Sequence, residues 1–130
     1  MKSLMRVLKA LADPNRMRIM KMLQRREMCV CEITEALGIA QPSVSRHMRL
    51  LEQAGLVEAR RDGQWTNYLW KPSPVDPYAR CMLERIPGWL EEDGEIQSLL
   101  LRAAALDRVT ICCGRRPVRL TPTGAREAAL

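Results

Sequence analysis

The sequence predicts a mainly α-helical chain carrying one small β-hairpin, and three observations lead there. Aromatic residues make up only 4% of 130 positions and Phe is absent, so the 47% hydrophobic share rests on Leu, Met, Ile, Val and Ala, a set that favours helices. Apolar residues recur at helical spacing from Leu4 to Leu51 and again beyond Pro77. Between those regions, Asp62-Gly63 separates two runs rich in Leu, Val, Trp and Tyr. That dipeptide is a hairpin signal, because both central residues of a type I′ turn need positive φ.

Each element follows from its own local pattern. Leu4, Val7, Leu8 and Leu11 place a first amphipathic helix over about Ser3 to Leu11. Asp13-Pro14 supplies an N-cap and a proline suited to a first helical turn, and Ile19, Met20, Met22 and Leu23 give the second helix its apolar face until Arg25-Arg26-Glu27. A short helix from Glu32 to Leu37 is closed by Gly38, and a fourth, opened by Gln41-Pro42-Ser43, turns Val44, Met48, Leu50 and Leu51 inward until Ala54-Gly55. Two short helices joined by a tight glycine turn form a helix-turn-helix. The strands Leu56 to Arg61 and Gln64 to Trp70 come directly after it, so the hairpin is a wing. Pro72, Pro74 and Pro77 mark a linker. Helices over Tyr78 to Ile86 and Ile96 to Leu106 follow, interrupted at Pro87-Gly88. The last is apolar over much of its surface, which predicts packing against a partner chain. Residues 1–108 are therefore expected to form one winged helix-turn-helix and dimerisation domain, and residues 109–130 a flexible, cysteine-containing tail. There is no internal repeat.

Bulk properties narrow the function classes. One domain of this size with a formal charge of +6 suits a polyanionic partner. Between Lys2 and Arg26, every charged side chain except Asp13 is Lys or Arg. Five cysteines, an odd number without a secretory signal, do not make an extracellular disulfide framework. Arg6 and Lys9 interrupt the first apolar run, so it does not read as a signal peptide, and no stretch reaches the roughly 18 apolar residues of a membrane span. A cytoplasmic protein with reduced thiols, no membrane association and no organic cofactor is expected.

The segments LADPNRMRIMKML and MCVCEITEALGIAQPSVSRHMRLLEQAGLVEARRDGQWTNYLW carry a family resemblance. Over about residues 3 to 70 the chain resembles the winged helix of the ArsR/SmtB family of bacterial metal-responsive repressors, most specifically at ADPNRMRIM, at CVCEI, and at QPSVSRHMRLL followed by AGLV and RRDGQW. The resemblance implies a homodimer, joined through its terminal helices, that represses transcription and leaves its operator when an inducer binds. Residue types support the DNA role independently. The N-terminal part of a recognition helix meets base edges in double-stranded DNA, which selects Gln41, Ser43, Ser45 and Arg46, with His47 and Arg49 on adjoining surface. Gln pairs with adenine and Arg with guanine. Arg60, Arg61 and Gln64 on the wing are placed to reach the DNA backbone or minor groove.

The thiols are the candidate sensing groups. In a regular helix, residues two apart point about 200° from each other, so Cys29 and Cys31 can share an ion only from an extended or turning segment. Ion binding there would oppose the start of the helix that supports the recognition helix. The CVC element is similar to the arsenite site of the ArsR branch, in which three thiolates hold As(III) as a trigonal pyramid. That resemblance implies As(III), and with it Sb(III), as inducer, but Thr34 stands where the motif supplies its third cysteine. Thr is a poor ligand for a soft centre, so a third sulfur must come from elsewhere or be absent; Cys112 or Cys113, from either subunit, is the best remaining source. Cys81 reads as a small core residue. Some members of the resembled family sense zinc through Asp/His ligands on the last helix, which here has no histidine. Cd(II), Pb(II) or Zn(II) bound as thiolates, or thiol oxidation or persulfidation, are alternative signals for the same fold. A thiol enzyme is disfavoured: no catalytic cysteine sits in a phosphate-cradling loop, and the only histidine, His47, lies on the presumed DNA face.

Overall fold

The computed structural model describes residues 1–113, with Cys112 and Cys113 described by their backbone alone; the rest of the expected tail lies outside the described residues. The chain runs α1 (Lys2–Leu11), α2 (Pro14–Arg25), β1 (Met28–Cys29), α3 (Val30–Leu37), α4 (Gln41–Gln53), β2 (Val57–Asp62), β3 (Trp65–Trp70), α5 (Pro77–Arg85) and α6 (Gly94–Ala104). A 3-10 turn follows α5 at Ile86–Gly88, and a π-helical turn, Val109–Cys113, follows α6. This is the expected winged helix-turn-helix.

The core is organised around α2. Asp13 caps it, its Oδ2 accepting from the backbone N–H groups of Asn15 (3.0 Å) and Arg16 (3.1 Å), so two of the unpaired donors at the helix start are satisfied. Ile19, Met20, Met22 and Leu23 are buried against Val44, Met48 and Leu51 of α4, Ile33 of α3 and Leu99 of α6 within one apolar cluster. Lys21, on the same helix, is only 1% exposed. Its Nζ donates to the Ile86 carbonyl (3.1 Å) and to Glu91 Oε2 (2.6 Å), the pairing that a buried ammonium requires. Trp70 Nε1 donates to the Met20 carbonyl (2.9 Å), tying the wing's last residue to α2.

Three details depart from the sequence reading. The sheet has three strands in the order β1-β3-β2, all antiparallel, with Met28 opposite Tyr68 and Cys29 opposite Asn67; two residues are too few to show an alternating pattern. In the hairpin, Asp62 pairs with Trp65, so Gly63 and Gln64 occupy the central positions. Gly63 has φ 64° and Gln64 has no positive φ, which is the type II′ pattern rather than I′. Finally, α3 starts at Val30 instead of Glu32 and takes Cys31 into its first turn, with Cys29 as N-cap.

The terminal helices keep apolar groups outside. Met5 and Leu8 on α1 are exposed, and Leu101 on α6 is 75% exposed, while Ile96, Leu99 and Ala103 turn that helix inward. Among the described residues no helix is long and apolar enough to cross a membrane.

Candidate nucleic-acid interface and thiol site

Gly38, in the left-handed conformation at φ 70°, ends α3, and α4 begins three residues later with Pro42 in its first turn. Burial of Val44, Met48 and Leu51 fixes the roll of α4. That roll leaves Gln41, Ser45, Arg46 and Arg49 exposed and Ser43 half-buried at its open end. On the wing, Arg60, Arg61 and Gln64 are exposed as well. The structure thus brings the predicted DNA-reading side chains onto the recognition helix and the hairpin beside it, with one exception.

The exception is His47, which is 6% exposed rather than on the adjoining surface. Its position one residue before Met48 turns the ring toward the interior. Arg16 Nη1 lies 3.1 Å from His47 Nδ1. A guanidinium can only donate, so Nδ1 accepts and the ring proton belongs on Nε2. Arg16 also donates through Nε to the Ala10 carbonyl (2.7 Å) and through Nη2 to the Lys9 carbonyl (3.2 Å). The end of α1 is in this way bolted to the recognition helix. Burial, reinforced by the Arg16 and Arg46 charges, holds His47 below its ordinary pKa of 6.5 against the opposing pull of Asp13. His47 is therefore a neutral positioning group.

A polar network runs along the wing from Glu27 to Asp62 at the hairpin turn. Arg60 pairs with Glu27, and Glu27 Oε1 accepts from Asn67 Nδ2 (3.1 Å). Arg108, following α6, donates to Asp62 Oδ2 (2.8 Å) and Asn67 Oδ1 (3.1 Å), and its guanidinium stacks 4.1 Å above the Trp65 ring. The Arg108 hydrogen bond and charge hold the Asp62 carboxyl below its ordinary range. The sequence reading did not find Arg108, Asn67 or Glu27, since nothing in their local pattern distinguishes them from other surface polar residues.

Cys29 is buried at the junction of β1 and α3, and Cys31 is half-buried two residues on; neither forms a disulfide. Glu32 closes a capping box on this helix start, its Oε1 accepting from the Cys29 backbone N–H at 2.9 Å. Glu32 is itself buried and paired with Arg26 at 3.0 Å. The Thr34 hydroxyl oxygen, one helical turn beyond Cys31, is buried without a hydrogen-bond partner. Among the described residues no three His, Cys, Asp or Glu side chains gather as a metal site. The π turn Val109–Cys113 packs on α3, the helix that Cys29 caps. By chemistry, Cys29 and Cys31 suit a thiophilic ion: two soft sulfurs at a helix N-terminus, where negative ligands are favoured. Cys81 is exposed on α5 rather than in the core; Ala79 and Leu83 take that helix's buried positions.

A recognition helix with free polar ends, supported by a wing of exposed arginines, defines a winged helix-turn-helix DNA-binding regulator. The sequence profile described as "Bacterial regulatory protein, arsR family" matches residues 13–59. The arsenic resistance transcriptional regulator ArsR1 of Pseudomonas putida is 40% identical over 91 residues, covering 67% of this chain and 71% of that protein. A probable mercury resistance operon repressor of Streptomyces lividans is 36% identical over 115 residues, covering 86% of this chain and 76% of that one. Among solved structures, the homodimeric winged helix-turn-helix DNA-binding domain Mb0332 of Mycobacterium bovis, a possible ArsR-family regulator, superposes with a TM-score of 0.57. It is 28% identical and the match covers 72% of this chain and 82% of that one. The chain belongs to the ArsR family, as a transcriptional repressor and not an enzyme.

Proposed function

We propose that this repressor binds its operator as a homodimer in the cytoplasm and is released by As(III), or Sb(III), held by Cys29, Cys31 and one of Cys112 or Cys113. The observation that carries the reading is the place of Cys29: it ends β1, which pairs with wing strand β3, and caps α3, which supports the recognition helix. One residue is thus joined to the wing and to the helix on which the recognition helix packs. Kinship with an arsenic resistance regulator supports the choice of inducer. Gln41, Ser43, Ser45 and Arg46 read base edges, while Arg49, Arg60, Arg61 and Gln64 meet phosphate or minor groove. Exposed Met5, Leu8 and Leu101 supply apolar area for the dimer.

Cys29 in extended geometry and Cys31 in the first turn of α3 do not point the same way. To share one ion they must lose their protons and rearrange that turn, giving up the hydrogen bond between the Cys29 N–H and Glu32. Loosening the start of α3 shifts α4 and the wing together, and a coupling of about 1–3 kcal/mol, ordinary for such switches, lowers operator affinity about 5- to 150-fold.

The test is anaerobic arsenite titration of reduced protein, followed by alkylation and peptide mass spectrometry, with operator binding measured in parallel. Protection of Cys29, Cys31 and one of Cys112 or Cys113, together with a response abolished in Cys29→Ser and Cys31→Ser, is expected. Undiminished release in those variants would sink the proposal. A second reading keeps the mechanism and changes the ion. Kinship with a mercury resistance repressor favours Hg(II), which takes two thiolates in line, as Cys29 and Cys31 would supply. Protection of Cys29 and Cys31 alone, by Hg(II) and not by arsenite, would select it.

A further inference from the structure

The wing is held from two directions. Its strand β3 pairs with β1, where Asn67 lies opposite Cys29. Its tip is held by Arg108, which bonds Asp62 and Asn67 and stacks on Trp65. Arg108 is also within electrostatic reach of Cys29 and Glu32. On its other side it leads straight into the π turn Val109–Cys113, whose start is pinned by Asp107. The Asp107 carboxylate accepts from the Val109 N–H (3.1 Å) and the Thr110 hydroxyl (3.1 Å), and its carbonyl accepts from the Ile111 N–H (3.0 Å). This turn packs on α3, the helix that Cys29 caps. A planar fork of donors meets two acceptors and a ring face at once, a geometry that lysine does not reproduce.

From this arrangement we infer that Arg108 is the positioning residue through which the thiol site controls the wing: it clamps the hairpin while the thiols are unoccupied and lets go when they are filled. The inference rests on the proposed thiol site but not on the identity of its ligand. Filling the thiols rearranges the start of α3, the turn Val109–Cys113 moves with the helix it packs on, and Arg108 is drawn from Asp62 and Asn67. Linkage adds a consequence that simple structural support lacks. If occupancy opens the clamp, then weakening the clamp from the wing side must tighten ligand binding by the same factor.

The experiment compares wild type, Arg108→Ala and Asp62→Asn as full-length chains. Asp62 is exposed on the wing, so its substitution leaves the fold intact should Arg108→Ala unfold it. Amide hydrogen exchange over residues 57–70 is followed in reduced protein, with arsenite, and with methyl methanethiosulfonate, which caps thiols as mixed disulfides with loss of methanesulfinate. In wild type, occupancy is expected to speed wing exchange about five- to tenfold. In both variants the wing exchanges fast already and occupancy adds nothing, while the thiols of Asp62→Asn bind arsenite several-fold more tightly than wild type. A wild-type wing indifferent to both reagents would overturn the inference, as would variants that respond like wild type. If capping loosens the wing while arsenite neither binds nor acts, the arsenite reading fails and the Arg108 clamp stands.

Discussion

The two DNA-facing elements are held in place by different physics. The recognition helix α4 is fixed by burial: Val44, Met48 and Leu51 are fully enclosed, and each such side chain contributes about 1.5–3 kcal/mol. The wing buries Val57 and Asn67 among its strand residues, and its tip is held by the pairs Arg60–Glu27 and Arg108–Asp62. Such exposed pairs contribute about 0–1 kcal/mol each and weaken with salt. The lesson is a division of labour. The recognition helix is anchored by its buried face, while the hairpin beside it rests on weaker, salt-sensitive contacts.

Breaking the anchored side has the largest effect. Met48→Ala is expected to cost about 2–5 kcal/mol in urea unfolding and to remove operator binding along with stability. Next, Arg46→Ala leaves stability within about 0.5 kcal/mol but costs about 1–3 kcal/mol of base discrimination, measured by comparing operator with a substituted site. Equal losses on both sequences would move Arg46 from base edge to phosphate.

The joint between α1 and α4 yields a pH test. Since His47 is held below its ordinary pKa of 6.5 when folded, the unfolded chain binds the extra proton first as pH falls. Stability is then full above about 6.5 and declines progressively below it. His47→Gln, which retains an acceptor for Arg16, is expected to flatten the unfolding midpoint between pH 5 and 7.5; an unchanged slope would place the titration elsewhere. The smallest effect belongs to the wing. Arg61→Ala is expected to reduce the salt dependence of DNA binding by about one phosphate contact without altering base preference, and an unchanged slope would remove Arg61 from the interface.

Much of the fold was legible because its cues are short-range. The Asp13 cap, Pro14, the Gly38 stop and the 3.6-residue spacing of apolar side chains act within a turn or two of where they stand. The exposure of Gln41, Ser45, Arg46 and Arg49 was legible for the same reason, since position on a recognition helix follows from its start. His47 was misplaced because facing inward or outward at one residue depends on how α4 rolls against α1 and α2. The Asp62-Gly63 turn was read one residue out of register because pairing with β3, rather than the dipeptide, sets the turn centre.

Local periodicity, helix caps and the spacing of Cys29 and Cys31 were enough to determine a winged helix-turn-helix with a thiol pair ahead of its DNA-reading helices. Tertiary structure alone decided what those thiols are connected to. Cys29 meets Asn67 across a two-residue strand, and Arg108 reaches Asn67 across 41 positions of chain. No local pattern encodes such contacts, because they exist only once the core around α2 has brought distant segments within hydrogen-bonding range.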